Sequence, residues 1–199
     1  MKRKYLVPLV VTMFLPATAL AHIGNHAGIH HGSAFIIGWV HPFTGFDHIG
    51  AMLTVGMWSM LSFNQSPRTV WVAPVAFASF LLIGGLLGFY GAGLPIVEPM
   101  IAASLLVFGL LVALRIRLPL VVGVLVVATF AVFHGIAHGS ELSVISMVAA
   151  LSGLVLATML LHIGGMLLAH FFLQRNIWLP RIVGGVVAVL GVGLLSGAI

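Results

Sequence analysis

Residues 41–48 read His41-Pro42-Phe43-Thr44-Gly45-Phe46-Asp47-His48, and they hold two of the ten histidines and one of only three acidic residues in the 199-residue chain. They stand at the mouth of a long apolar segment, where ionisable side chains are costly and therefore mark function by default. A second polar island, Phe133-His134-Gly135-Ile136-Ala137-His138-Gly139-Ser140-Glu141, closes another apolar segment. The two islands read as halves of one metal site between membrane helices.

The apolar segments around them decide the fold class. The chain is 61% hydrophobic and 6% charged, against about 25% charged in soluble domains. Too few polar groups remain to cover a surface in water, so the chain reads as all-α, a polytopic helical membrane protein. Spans are expected at about 45–63, 69–90, 95–114, 118–138, 143–170 and 178–198, each near the ~20 residues a helical crossing needs. The fifth is long, so it is expected to tilt or to project beyond the bilayer. Ser33 to Val40 is a short apolar piece stopped by Pro42, read as a half-helix lying within the protein.

Residues 1–21 read as a cleaved secretory signal peptide. Lys2, Arg3 and Lys4 precede an apolar run from Tyr5 to Leu15, and Ala17-Thr18-Ala19 and Ala19-Leu20-Ala21 offer overlapping cleavage patterns. The second is preferred, which leaves 22–199 as a single transmembrane domain beginning at His22; an uncleaved anchor helix is the alternative. Residues 22–32 then form a histidine-rich arm, with His22, His26, His30 and His31 among three glycines, composed to collect a cation rather than to build a core. Cleavage before His22 sets a free amine beside its imidazole. Cleavage before Leu20 leaves His22 third, where amine, backbone nitrogens and imidazole wrap a square-planar Ni²⁺ or Cu²⁺. An inert solvated tail is the bland alternative.

Charge sets the expected orientation. A cleaved signal puts the mature N-terminus outside, and six spans then place Arg68, Arg115, Arg117, Arg175 and Arg181 on inner connections and no Lys or Arg on outer ones, as the positive-inside rule asks. The formal charge of +5 falls to five basic against three acidic residues once Lys2, Arg3 and Lys4 are set aside, which offers nothing to nucleic acid. No cysteine is present, so disulfides and thiolate sites are excluded and any metal is held by nitrogen and oxygen. Small residues recur at four-residue spacing in Gly84/Gly88, Gly135/Gly139 and Gly193/Gly197, read as surfaces on which helix backbones approach closely.

His134 and His138 lie four apart and share one face of a helix, which Glu141 extends. Two imidazoles and a carboxylate suit a first-row divalent ion. Asp47 follows the Pro42 break and opens a helix, so it is a cap by default; ligating a cation, or orienting His41 or His48 as a hydrogen-bond acceptor, is the functional reading. His162 and His170, eight apart in the fifth span, are candidate stepping stones inward, with interhelical hydrogen bonding as the alternative. Glu98, after Pro95, reads as a first-turn residue or a site carboxylate. The candidate metal ligands are thus His22, His26, His41, Asp47, His48, His134, His138, Glu141 and His162.

His41-Pro42, Gly45 and Asp47-His48, followed by Ala51-Met52 and Val55-Gly56-Met57-Trp58, together with His134-Gly135-x-Ala137-His138-Gly139-x-Glu141, resemble the HupE/UreJ family of nickel and cobalt permeases. The similarity extends over essentially the whole chain; Phe43 and Phe46 depart from the smaller aliphatic residues expected there. The resemblance implies a bacterial inner-membrane, multi-pass permease with a periplasmic N-terminus. It would bring Ni²⁺ or Co²⁺ inward as substrate, without a prosthetic group and without being an enzyme. It implies His41, Asp47, His48, His134, His138 and Glu141 as the functional set. Expected partners are the divalent ion, the lipid bilayer, a second copy of the chain, and metallochaperones of hydrogenase or urease assembly. A di-iron oxygenase would need more histidine boxes on the inner face, a b-type haem protein would concentrate histidines within spans, and a sensor or storage protein without transport is a further alternative. No Walker A pattern is present, so ATP hydrolysis would require another subunit.

Overall fold

The computed structural model of the chain describes residues 31–63, 66–92, 94–142 and 146–199. The expected signal peptide, His22, His26 and His30 lie outside the described residues. Those described form seven α-helices and no strand: α1 His31–Val40, α2 Phe46–Phe63, α3 Val72–Phe89, α4 Val97–Ala113, α5 Leu120–Glu141, α6 Met147–Arg175 and α7 Trp178–Ser196. Short 3₁₀ turns, His41–Phe43 and Thr69–Trp71, lead into α2 and α3. Helix α1 begins at His31, so the last two residues of the expected arm are helical.

A helix occupies each of the six segments in which a span is expected. Among the described residues, four stretches are long and apolar enough to cross a membrane: Thr69–Phe89, Leu120–Glu141, Met147–Arg175 and Trp178–Ser196. Helix α4 has 17 residues, about 25 Å at 1.5 Å per residue, short of a hydrocarbon core of ~30 Å. Helix α2 is more polar, and its environment explains why that is tolerated. Ala51, Met52, Thr54, Val55, Gly56, Met57, Trp58, Ser59, Leu61 and Ser62 are all buried, so protein surrounds α2 on every side, and Thr54, Ser59 and Trp58 find protein partners. Thr54 donates to the Gly50 and Ala51 carbonyls, Ser59 to Val70 and the Trp58 indole to Ile116. Helix α6, with 29 residues, is long as expected, and α1 packs on its first turns, Gly38 against Ala150 and Gly153 against Phe35.

Glycines set the distances between helices. Helices α3 and α5 run parallel, with Gly84 against the Val132 carbonyl, Gly88 against Ile136, Gly135 against Leu81 and Gly139 against Gly85. A Cβ at any of the four would collide with backbone of the facing helix. The same device joins α2 to α6 through Gly56 and Gly165, and α4 to α7 through Gly109 and Gly184. The Gly193/Gly197 pair departs from expectation. Gly197 has φ +66° and open space around its α-carbon, and it ends α7 as a left-handed cap. Its spacing mimics a packing pair, but its function is to terminate a helix.

Helices α2, α4 and α6 run one way and α3, α5 and α7 the other. The start of α2 and the end of α5 therefore share one end of the bundle, and the five arginines lie toward the opposite end. The outward faces are aliphatic, for example Val121, Leu125, Leu167, Ile182 and Val189, a surface suited to lipid.

Candidate metal site

The two islands meet. Pro42, buried, is the middle residue of the 3₁₀ turn after α1. Thr44 closes it by donating its hydroxyl (2.6 Å) and amide (3.0 Å) to the His41 carbonyl. Gly45 follows, where a Cβ would press on the Asp47 carboxylate and His48 Nδ1. Phe46 then opens α2, placing Asp47 and His48 in its first turn. From the other side, α5 stays helical through Glu141, so His134, His138 and Glu141 stack on one face as their spacing requires.

Ligand atoms of His48, His134 and His138 lie within 4.8 Å of one another, and so do those of His41, His138 and Glu141. His138 belongs to both groups. Its ring centroid is 4.3 Å from that of His48 and 4.7 Å from that of His41. The site is graded in exposure: the side chains of Glu141, His41 and His48 are 57%, 23% and 15% exposed, while His138 and His134 are buried. A cavity of about 170 Å³ lined by His41, Thr44, Gly45, His48, His138 and Glu141 opens over it.

Hydrogen bonds organise the imidazoles. His41 Nε2 meets Glu141 Oε2 at 2.8 Å. Asp47 Oδ1 lies 2.9 Å from His48 Nδ1, an ion-pair distance without the alignment of a hydrogen bond, since Nδ1 has no partner that meets hydrogen-bond geometry. Both nitrogens of His138 are buried without a partner. So is Nδ1 of His134, whose Nε2 sits 2.9 Å from Ser104 Oγ on α4. Buried imidazole nitrogens normally find partners, and unpaired ones converging with carboxylates at hand are a donor set that suits a first-row divalent cation.

His162 stands apart from both groups. Its Nδ1 is 2.7 Å from the Met52 carbonyl, and its Nε2 is buried and unpartnered. A carbonyl only accepts, so Nδ1 carries the proton and Nε2 the free lone pair. The Phe77 ring lies between this histidine and the mouth, 5.0 Å from the His162 centroid and 5.6 Å from that of His134. His170 does not share His162's face. Eight residues advance a helix by about 80° beyond two full turns, and His170 is exposed, bonded to Gln174 of its own helix at 2.9 Å. Glu98 occupies the first turn of α4 and lines, with Asp47, a separate cavity of about 210 Å³.

Of the expected ligands, then, His41, His48, His134, His138 and Glu141 assemble, Asp47 flanks them through His48, and His162 lies deeper. Ser104 and Phe77 were not among the expected site residues. Each sits in an ordinary apolar run, and a single Ser or Phe there carries no signal in spacing or charge.

The sequence profile of the family described as HupE / UreJ protein matches residues 10–194. The chain is 38% identical over 199 residues to Protein HupE of Rhizobium leguminosarum bv. viciae, covering 99% of this chain and all of that protein. No solved structure matches it. A profile match over nearly the full length and a full-length relative at this identity, on a helical chain whose two histidine islands converge, establish that the protein belongs to the HupE/UreJ family.

Proposed function

We propose that the chain is a permease that takes a divalent transition-metal ion, Ni²⁺ or Co²⁺, inward across the bacterial inner membrane. The observation that carries this reading is the convergence of His48, His134 and His138 ligand atoms within 4.8 Å, with His41 and Glu141 adjoining through the shared His138. Three imidazoles with carboxylates in reach suit a first-row divalent cation and do not suit Mg²⁺ or Ca²⁺, which prefer oxygen. Family membership and the apolar helices support transport across a membrane rather than storage in water.

In this reading all six helices α2 to α7 cross, α2 and α4 sheltered from lipid by their neighbours, and the five arginines lie on the cytoplasmic side. The signal peptide is removed, and the arm bearing His22 and His26 gathers ions in the periplasm. The hydrated ion enters at His41 and Glu141 and exchanges water for imidazole. It passes around His138 to His48 and His134, with Asp47 balancing its charge. His162 Nε2 is the next nitrogen inward, beyond Phe77. Release goes to metallochaperones of hydrogenase or urease assembly. Weak, successive sites of this kind allow an ion both to enter and to leave.

Uptake of radiolabelled Ni²⁺ into cells with and without the protein tests the reading. Uptake that depends on the protein and is competed by Co²⁺ is expected; equal accumulation in both cell lines contradicts it.

A further inference from the structure

The Ser104 hydroxyl has one proton and two neighbours. Its oxygen is 2.6 Å from the Ile101 carbonyl on the same helix and 2.9 Å from His134 Nε2. Two oxygens at 2.6 Å require a hydrogen between them, and a carbonyl has none to give, so the serine proton goes to Ile101. Toward His134 the hydroxyl then has only lone pairs, and the contact is a hydrogen bond only if Nε2 carries the proton. A neutral imidazole protonated at Nε2 is bare at Nδ1, and His134 Nδ1 is the buried nitrogen without a partner. Ser104 is itself fully buried, so water offers no competing partner.

We propose that Ser104 is a positioning residue for the cation site: by accepting the Nε2 proton it locks His134 in the tautomer that presents Nδ1 to the ion beside His48 and His138. The inference rests on the cation reading of that cluster and adds to it a residue from α4, a helix that supplies none of the clustered ligands. The chemistry is general. A ligating imidazole is oriented, and its tautomer chosen, by what its other nitrogen donates to, and loss of such a partner typically costs about 10- to 100-fold in metal affinity. A serine already committed as donor can do nothing else toward the ring but accept. The Met52 carbonyl acts in the same way on His162 from the opposite nitrogen.

The test uses the full chain, ¹⁵N-labelled at histidine and reconstituted in nanodiscs. In the metal-free wild type, ¹⁵N resonances should report His134 as the Nε2-protonated neutral tautomer, with the assignment made by the signal lost in His134→Ala. A Co²⁺ titration followed through its d–d absorption should then give a dissociation constant about 10- to 100-fold weaker in Ser104→Ala. Ser104→Thr, which keeps the hydroxyl, should stay within about threefold of wild type and retain the tautomer signal. Wild-type affinity in Ser104→Ala, with Co²⁺ binding still lost in His138→Ala, overturns the role of Ser104 and leaves the cation site standing. No Co²⁺ binding by the wild type itself removes the site and this inference together. Nδ1-protonated His134 in the wild type overturns the inference whatever the variants do, including a variant that fails to fold.

Discussion

The histidines at the mouth and the two along α6 are the same residue in opposite circumstances. At the mouth, four candidate ligands from α2, α5 and the turn before α2, namely His41, His48, His138 and Glu141, line one cavity; His134 packs against His48, and His138 stands in two groups at once. On α6, His162 is buried alone with one nitrogen on a carbonyl, and His170 is exposed with its partner one turn away on the same helix. In the proposed reading, density of ligands, not presence of histidine, separates a place where an ion can be stripped of water from a place it can only visit. A helix supplies neighbours at intervals of three and four, so His134, His138 and Glu141 reinforce one another. Positions eight apart, such as His162 and His170, drift off a common face.

Substitutions can break this contrast in order of severity. His138→Ala removes a ligand from both groups, and the cavity should lose Ni²⁺ affinity by more than the about hundredfold that loss of a supporting residue costs; equilibrium binding to the purified chain measures this, with insertion unchanged. His41→Ala or Glu141→Gln strips only the outer group, so initial uptake at low Ni²⁺ should fall several-fold while binding at His48 and His134 persists. His162→Ala should leave binding at the mouth intact and slow turnover, and the freed Met52 carbonyl should cost about 1 kcal/mol of stability. His170→Ala should be nearly silent, with uptake within about twofold of wild type. If it instead matched His162→Ala, the division between the two regions would be wrong.

Much of this was legible in the sequence, because lipid makes polarity expensive. His41, Asp47, His48, His134, His138 and Glu141 stand out against apolar segments, and the four- and three-residue spacings on α5 put three of them on one face before any fold is known. That Gly84/Gly88 and Gly135/Gly139 are packing surfaces was legible for a similar reason, since few other residues let two backbones come that close; that they face each other was not. What escaped depends on neighbours that spacing does not encode. Ser104 matters through the direction of one hydroxyl proton, and a serine in an apolar run has many ordinary uses. Phe77 matters only because α3 brings it between His134 and His162. Gly197 reads like half of a packing pair until its positive φ shows it to be a cap. The polarity of α2 makes sense only once the helix is seen to be wrapped by the others.

The account stands on imidazoles from α2 and α5 closing on one cation. X-ray absorption at the nickel edge of Ni²⁺ bound to the purified full-length chain tests that directly. We predict multiple-scattering features from several imidazole rings in the wild type and their marked loss in His138→Ala. An oxygen-only shell, indistinguishable between the two proteins, would contradict it.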